Sequence, residues 1–556
     1  MRVWWKKTVV YQIYPRSFKD STGNGIGDIP GIISKLDYLR DLGIETIWFS
    51  PFFSSPQRDH GYDVSDYRNI ALEYGALSDC EQLIKEMHNR QMYAVFDMVL
   101  NHTSDQHPWF IESRSSRNNS KRDWYIWRDG KRPGGKKPPN NWNSVLGGTG
   151  WHYDHLTDQW YWAQFLPFQP DLNYRNPEVK EEMFDMLRFW LDKGVDGFRL
   201  DIIDAVYEDE QFRNNPRALR YVPSGEDTKR FFYDNINTVH HPDNFVFAKE
   251  LRRLMDEYTD PERFLVGEVG ASLEVLKRYC GEEVEGKKTD GLHMVFQFQS
   301  LRAKLEANAL RKLMLAYECF FSEPYIPTWV FSNHDTRRRI RGLGGSIDKA
   351  KLNALFQLTA RGVPYVYQGE EIGMLGLRIP LKNAQDPVAL KYSRMPRFFT
   401  FLIEKLLGVS LNRDECRTPM QWDSSANAGF CQAGTEPWLP VGPDYETTNV
   451  ETASADPNSL LNCYKTLLHL RRNNAALNSG SMYLVQARAS QKLLLSYERK
   501  HEEQTLQIWL NLSEKPLTIE GVIAPKQLLF STLKDANPVQ GDTITLEPLQ
   551  GIITEL

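Results

Sequence analysis

The strongest constraint on this chain is a rhythm of eight short apolar runs. They fall at residues 9–14 (VVYQIY), 46–49 (TIWF), 93–98 (YAVFDM), 197–200 (GFRL), 264–266 (FLV), 291–298, 329–331 and 365–367. Amphipathic stretches lie between them, at 33–42, 80–87, 178–191 and 351–358. Strand and helix alternating over about 450 residues predict a parallel sheet. Eight such units fit a closed (β/α)8 barrel better than an open doubly wound sheet. The barrel is expected to use residues 1–102 and 172–480.

Two segments break the rhythm. Residues 103–171 are rich in Asn, Trp, Lys, Pro and Gly, and GKRPGGKKPPNNW at 130–142 reads as a loop. Residues 375–440 form a second irregular excursion after the eighth run. Both belong on the C-terminal face of a barrel, where active sites form. From 481 to 556 the pattern changes to short alternating runs (SMYLVQA, KLLLSYER, TLQIWLNL). These predict an antiparallel β-sandwich that acts as a structural lid on the barrel. The fold class is thus α/β, a barrel with a loop-rich insertion after strand 3 and a C-terminal β domain.

Composition narrows the function classes. A net charge of -5 offers no basic field for nucleic acid. The longest apolar stretch, at 398–411, is interrupted by Glu404 and Lys405 and is too short for a membrane span. The N-terminus lacks the apolar core of a signal peptide, so a cytoplasmic protein is expected. The six cysteines show no CxxC pair or zinc-like spacing and read as isolated thiols, with Cys416–Cys431 a conceivable bridge.

Three acids follow strand-like runs: Asp201 ends GFRLD, Glu268 follows FLVG, and Asp335 ends WVFSNHD. Acids at the ends of parallel strands point into a barrel mouth, so three strands can aim three carboxyls at one point. Cleaving a glycosidic bond needs two carboxyls in different protonation states, and a third can pull their pKa values apart. Each acid alone has a plainer role, as a turn cap, a surface acid or a helix N-cap. Arg199 beside Asp201 and His334 beside Asp335 make that plainer set hard to sustain.

These residues sit in a recognisable series. VVYQIYPRSF, GIGDIPGI and GYDVSDY are followed by DMVLNH, QPDLNY, GFRLD, GEVG, SNHD and RTPMQWD, in that order. The chain resembles the α-amylase superfamily, glycoside hydrolase family 13, and within it the oligo-1,6-glucosidase and α-glucosidase group. The resemblance implies a retaining exo-acting α-glucosidase working on short α-1,4- or α-1,6-glucosides. Asp201 would be the nucleophile, Glu268 the acid and base, and Asp335 the transition-state stabiliser. Arg199 would keep Asp201 ionised. His102, His334, Asp63 and Arg417 would bind the terminal glucose, with Asp97 and Asn101 in support. No organic cofactor is implied, and the protein would be a monomer or homodimer acting on an oligosaccharide or disaccharide.

The resemblance also implies a structural calcium, or magnesium, in the loop of Asp20, Thr22, Asn24, the Ile26 carbonyl and Asp28. Relatives carry Asn and Asp where this chain has Thr22 and Asn24, so the ligand set is weakened. A Gly/Asn turn into the first helix is an equal alternative. Ile202, after the nucleophile, leans toward α-1,6 or mixed activity, because relatives of that preference carry Val there. Transglucosylation or isomerisation of sucrose- or trehalose-type disaccharides is the alternative activity. Trehalose-6-phosphate hydrolysis is another, with Arg337, Arg338, Arg339 and Arg341 as phosphate ligands; these read more simply as a solvated basic patch. A non-catalytic homologue fits poorly with an intact carboxyl set.

Overall fold

The computed structural model describes all residues except 1–2, 132–134, 396–397, 399, 401–403, 405–409, 486–491, 503 and 535–537. Parts of the 130–142 loop and of the run at 481–487, and most of the apolar 398–411 stretch, therefore lie outside the described residues.

The eight runs become eight parallel strands: β1 (Val10–Ile13), β2 (Thr46–Phe49), β3 (Tyr93–Val99), β4 (Gly197–Asp201), β5 (Phe264–Gly267), β6 (Met294–Val295), β7 (Thr328–Val330) and β8 (Val363–Tyr367). Their order is β6-β5-β4-β3-β2-β1-β8-β7, with every neighbouring pair parallel. The strands read as unbroken apolar runs because side chains meet either the barrel interior or the helical ring. β6 is shorter than the expected 291–298 run. Gly291 is pressed against the Tyr279 carbonyl, and Phe298 already belongs to a 3-10 turn, Phe298–Arg302.

The barrel is nearly closed. β6 and β7 do not share a ladder, and side chains bridge the seam instead. The Gln297 N–H donates to Thr328 Oγ1 at 3.1 Å, and the Thr328 N–H donates to Gln297 Oε1 at 2.5 Å.

Helices start where the caps dictate. Asn176 accepts the Glu178 N–H ahead of Pro177–Asp192, and Ser346 accepts the Lys349 N–H ahead of Ile347–Thr359. The amphipathic 33–42 stretch is split into Ile29–Ile33 and Leu36–Leu42. Asp28 caps the first of these with Pro30 in its opening turn, which starts the helix early. Ser34 Oγ then donates to the Gly31 carbonyl at 2.6 Å at the break.

The insertion after β3 holds a helix, Pro108–Ser115, and a three-stranded antiparallel sheet of Trp127–Arg128, Gln159–Trp162 and Trp151–Asp154. Its tryptophans are core residues: Trp142, Trp151 and Trp162 pack with Ile126, and a Cβ at Gly150 would strike Trp162. At the C-terminus, Ser481–Leu484, Leu494–His501, Gln504–Asn511, Gly551–Glu555 and Gln527–Ser531 form one antiparallel sheet. A smaller sheet faces it, and Leu494, Trp509, Ile544, Leu546 and Ile552 fill the space between. The helix Ile347–Thr359 is buried at every position from Ala350 to Thr359, clamped between the barrel and this C-terminal unit. Among the described residues no helix is long and apolar enough to cross a membrane.

Candidate active site

Strand geometry assembles the site. Side chains two apart on a strand share a face, so Arg199 and Asp201 both project from the end of β4 toward the interior. The parallel register sets Arg199 beside Asp97 on β3. Arg199 Nη1 donates to Asp97 Oδ1 and to Asp201 Oδ1, both at 2.7 Å, and its Nη2 contacts Glu268 Oε2. Glu268 directly follows β5, pinned by its N–H to the Leu200 carbonyl at 2.9 Å. One buried guanidinium thus gathers three carboxyls from three strands.

Asp335, beyond β7, joins from the other side. Arg417 Nη2 donates to its Oδ1 at 2.7 Å, and Arg413 Nη1 reaches the same oxygen at 3.4 Å. His334 Nε2 lies 3.2 Å from Asp335 Oδ2 and 2.6 Å from the Tyr62 hydroxyl, while Gln12 Nε2 faces its Nδ1 at 2.7 Å. Tyr62 also donates to Asp97 Oδ2 at 3.2 Å, beside Trp48 Nε1 at 3.1 Å. A continuous chain of contacts therefore links Asp335, His334, Tyr62, Asp97, Arg199, Asp201 and Glu268.

The environments drive these groups apart. Burial raises the Asp201 carboxyl above the usual range; Arg199 opposes the rise and Asp97 adds to it. Asp97 is raised too, chiefly by burial, with Arg199 opposing. Asp335 goes the other way. Burial alone would raise it, but its interaction with His334 and the positive charges of Arg413 and Arg417 hold it well below the usual carboxylate range. Desolvation takes His334 down to about 3 and His102 down to about 4, so both are neutral near pH 7. Ile202, the residue after Asp201, has φ 37° and ψ 50°. A β-branched residue in this left-handed region is strained, and such strain collects at functional sites.

Accessibility sorts the expected site residues. The side chains of Asp335, Glu268 and Asp201 are 32%, 22% and 10% exposed. Asp63, His102, Arg199, His334 and Arg417 are buried around them. Asp63 is turned into its own loop, accepting from Ser55 Oγ and from the N–H groups of Arg58 and Asp59 at 3.0–3.1 Å. Its loop reaches Asp335 through Asp59 and Arg413 and through Tyr62 and His334. Both ring nitrogens of His102 face protein, Nδ1 at Asn101 Oδ1 and Nε2 at the Tyr62 carbonyl. Asn101 itself reaches the Ala205 carbonyl at 2.6 Å. The sequence reading overlooked Tyr62, Trp48, Gln12 and Arg413. Tyr62 lies inside GYDVSDY and Arg413 four residues before Arg417, which marks their neighbourhoods but not their partners.

A cavity of about 440 Å³ opens on Glu268 and Asp335. Its lining also carries Arg302, Arg337, Arg338, Arg339 and Arg341. The basic run after Asp335 is therefore not the solvated surface patch expected: Arg338 is 3% exposed.

In the Asp20–Asp28 loop the side-chain oxygens accept the loop's own donors. Asp20 accepts the N–H groups of Thr22, Gly23 and Gly25, and Asp28 accepts Ser21 N–H, Ser21 Oγ–H, Thr22 N–H and Gly31 N–H. Asn24 Oδ1 accepts the Ile26 N–H. Each of the four carboxylate oxygens thus accepts at least one donor of the loop or of the first helix, which anchors the backbone here. The loop's glycines serve packing instead, since a Cβ at Gly25 would lie 2.1 Å from the Glu436 carbonyl. No disulfide forms either: all six cysteines are free, and Cys416 Sγ sits 3.2 Å from the His334 carbonyl.

Comparison with known proteins agrees with this geometry. Residues 12–480 match the alpha-amylase catalytic domain. The chain is 39% identical to the oligo-1,6-glucosidase of Parageobacillus thermoglucosidasius, covering 100% of this chain and 99% of that one. It is also 39% identical to a probable alpha-glucosidase of Rhizobium meliloti (strain 1021), over 93% and 91% of the two chains. In three dimensions it resembles the trehalulose synthase MutB from Pseudomonas mesoacidophila MX-45, with a TM-score of 0.87, 32% identity and full coverage of both chains. A barrel of this topology, with its carboxyls at the strand ends and a family match over most of its length, places the chain in the alpha-amylase family of glycoside hydrolases.

Proposed function

We propose that this protein is a retaining, exo-acting α-glucosidase that releases glucose from the non-reducing end of short α-glucosides by double displacement. The observation that carries the reading is the Arg199 guanidinium holding Asp97, Asp201 and Glu268 together opposite an ionised Asp335. Asp201 attacks the anomeric carbon, and the glycosidic C–O bond breaks as Glu268 delivers a proton to the leaving oxygen. Water, deprotonated by Glu268, then attacks the glucosyl–Asp201 ester and frees glucose with the configuration retained. Asp335 stays charged and stabilises the positive character of the sugar between these steps.

In the same reading, Arg417 and His334 orient Asp335, while Asp63 and His102 shape the closed end of the glucose subsite. Their burial supports a blind pocket over an open cleft. We also place the protein in a reducing, cytoplasmic setting, which the six free thiols fit, and expect it to act as a monomer or homodimer.

The test is incubation with 5-fluoro-α-glucosyl fluoride followed by peptide mass spectrometry. A glucosyl adduct on the peptide bearing Asp201 is expected. An adduct on Glu268, or inverted product seen by NMR, overturns the assignment. A second reading, glucosyl transfer or isomerisation, is favoured by the likeness to a trehalulose synthase. Incubating the protein with sucrose separates the two, since hydrolysis yields glucose and fructose and isomerisation yields a new disaccharide.

A further inference from the structure

Where the C-terminal unit meets the barrel lies a second cavity, of about 270 Å³, which shares no lining residue with the one at the carboxyls. Three elements border it: the buried barrel helix Ile347–Thr359, the start of the helix Leu460–Asn473, and the strand Gln527–Ser531. The register of that strand shifts between Leu528 and Phe530, which breaks its alternation and brings consecutive residues to the cavity.

Lys351 lines this space from the barrel helix and is only 8% exposed. Burying an ammonium is costly unless it is paired. Other buried cations of this region are satisfied: Arg471 donates to the Leu358 and Gly362 carbonyls at 2.9 and 2.6 Å, and Arg499 to those of Thr359 and Gly480. Lys351 makes no hydrogen bond and no ion pair among the described residues. A second ammonium, Lys534, borders the same cavity and donates to the neutral Pro457 carbonyl at 2.6 Å. Both charges reach one thiol: burial pushes Cys463 up to about 12, and Lys351 and Lys534 act against the rise. Among the described residues no Asp or Glu lines the cavity. Asp456, close by in sequence, is exposed, and its Oδ1 accepts the Asn458 N–H at 2.8 Å.

The neutral polar groups are donors as well. Ser459 caps its helix by accepting the Asn462 N–H at 3.1 Å, and Thr532 Oγ1 accepts the Gly551 N–H at 2.9 Å. Each hydroxyl keeps its own proton to give. The helix that Ser459 caps is 14 residues long, and its N-terminus favours negative charge. Separate ammonium groups act as point charges from different directions, which suits the tetrahedral oxygens of phosphate better than a flat carboxylate. Leu529 and Phe530 give the cavity an apolar side for an organic body.

We propose that this cavity binds a phosphate group, free or carried on a small organic molecule, and that the bound anion ties the C-terminal unit to the barrel. Lys351 contributes from the barrel, Ser459 from the following helix, and Lys534 and Thr532 from the C-terminal unit. The site takes no part in glucoside cleavage.

The test is titration calorimetry and thermal unfolding of the full chain with glycerol 3-phosphate and with inorganic phosphate. Glycerol, and sodium chloride at matched ionic strength, are the controls. None of the four is a glucoside, so the carboxyl pocket does not enter. Saturable binding to one site is expected, with Tm raised by about 2 °C or more at saturation and neither control matching it. Tighter binding of the monoester identifies an organic phosphate as the ligand, and equal binding identifies the free ion; either supports the site. K351M, which keeps the apolar stem, and K534Q should each weaken binding about tenfold. Both should hydrolyse p-nitrophenyl α-glucoside as the parent does. Lys534 is exposed, so K534Q carries the test should K351M fail to fold. Phosphate that raises Tm no more than chloride, or binding that survives unweakened in the folded variants, overturns the inference.

Discussion

Asp97 and Asp201 lean on the same guanidinium nitrogen, and that shared contact has a measurable outcome. Asp201 must be ionised to attack, yet burial, with Asp97 adding to it, lifts its carboxyl to about 7. Activity should therefore fall as pH drops through about 7, well above the range of an ordinary aspartate. Asp335 stays ionised through this window and does not add a step to the curve. Replacing Asp97 by Asn removes a negative charge that raises Asp201, and the acid limb of kcat/KM should move to lower pH. An unmoved limb in D97N would show that Asp97 does not set the nucleophile's charge. D201N should lose roughly 10⁴-fold or more in kcat while keeping its circular dichroism spectrum. The three carboxyls were legible because each ends a strand-like run. Tyr62 and Arg413 were not, because their partners lie 272 and 78 residues away and only the folded barrel brings them together.

At the level of elements, the loop between β1 and the first helix is held by its own backbone. Asp20 and Asp28 act as anchors for its N–H groups, and Asp28 also caps the helix Ile29–Ile33. A chelator should leave the melting temperature and activity unchanged, and added calcium should raise neither. A clear rise in Tm with calcium would restore the cation to the loop. Asp28→Ala should cost about 1–2 kcal/mol through the lost cap, measured by urea unfolding. The sequence showed the spacing of oxygen-bearing side chains here but not their direction. Spacing alone cannot tell an oxygen that faces a cavity from one that accepts an N–H. The strands were easier to read, since a doubly covered strand must be apolar throughout. The tryptophans of the insertion were ambiguous in composition and proved to be its core.

Across the whole molecule, the C-terminal unit and the barrel are joined through buried polar contacts. Arg499 is buried, donating to the Thr359 and Gly480 carbonyls, and the Tyr497 hydroxyl meets Thr359 Oγ1 at 2.5 Å. Arg499→Ala strips those carbonyls of their donor and should cost about 1–3 kcal/mol, read by thermal unfolding. Activity below the unfolding transition should persist, because the contact lies far from the carboxyls in the chain's architecture. The seam between β6 and β7 has a different kind of consequence. Glu268 follows β5 and Asp335 follows β7, so the seam runs between the staves that carry them. There the hoop of the barrel is closed by the side chains of Gln297, Thr328 and Ser300, and it can breathe without breaking a ladder. Amide protons of Met294 and Val295 should exchange with deuterated water faster than those of β4. The rigid arc of the barrel would then hold the nucleophile still, and the yielding arc would let the departing half of the substrate go.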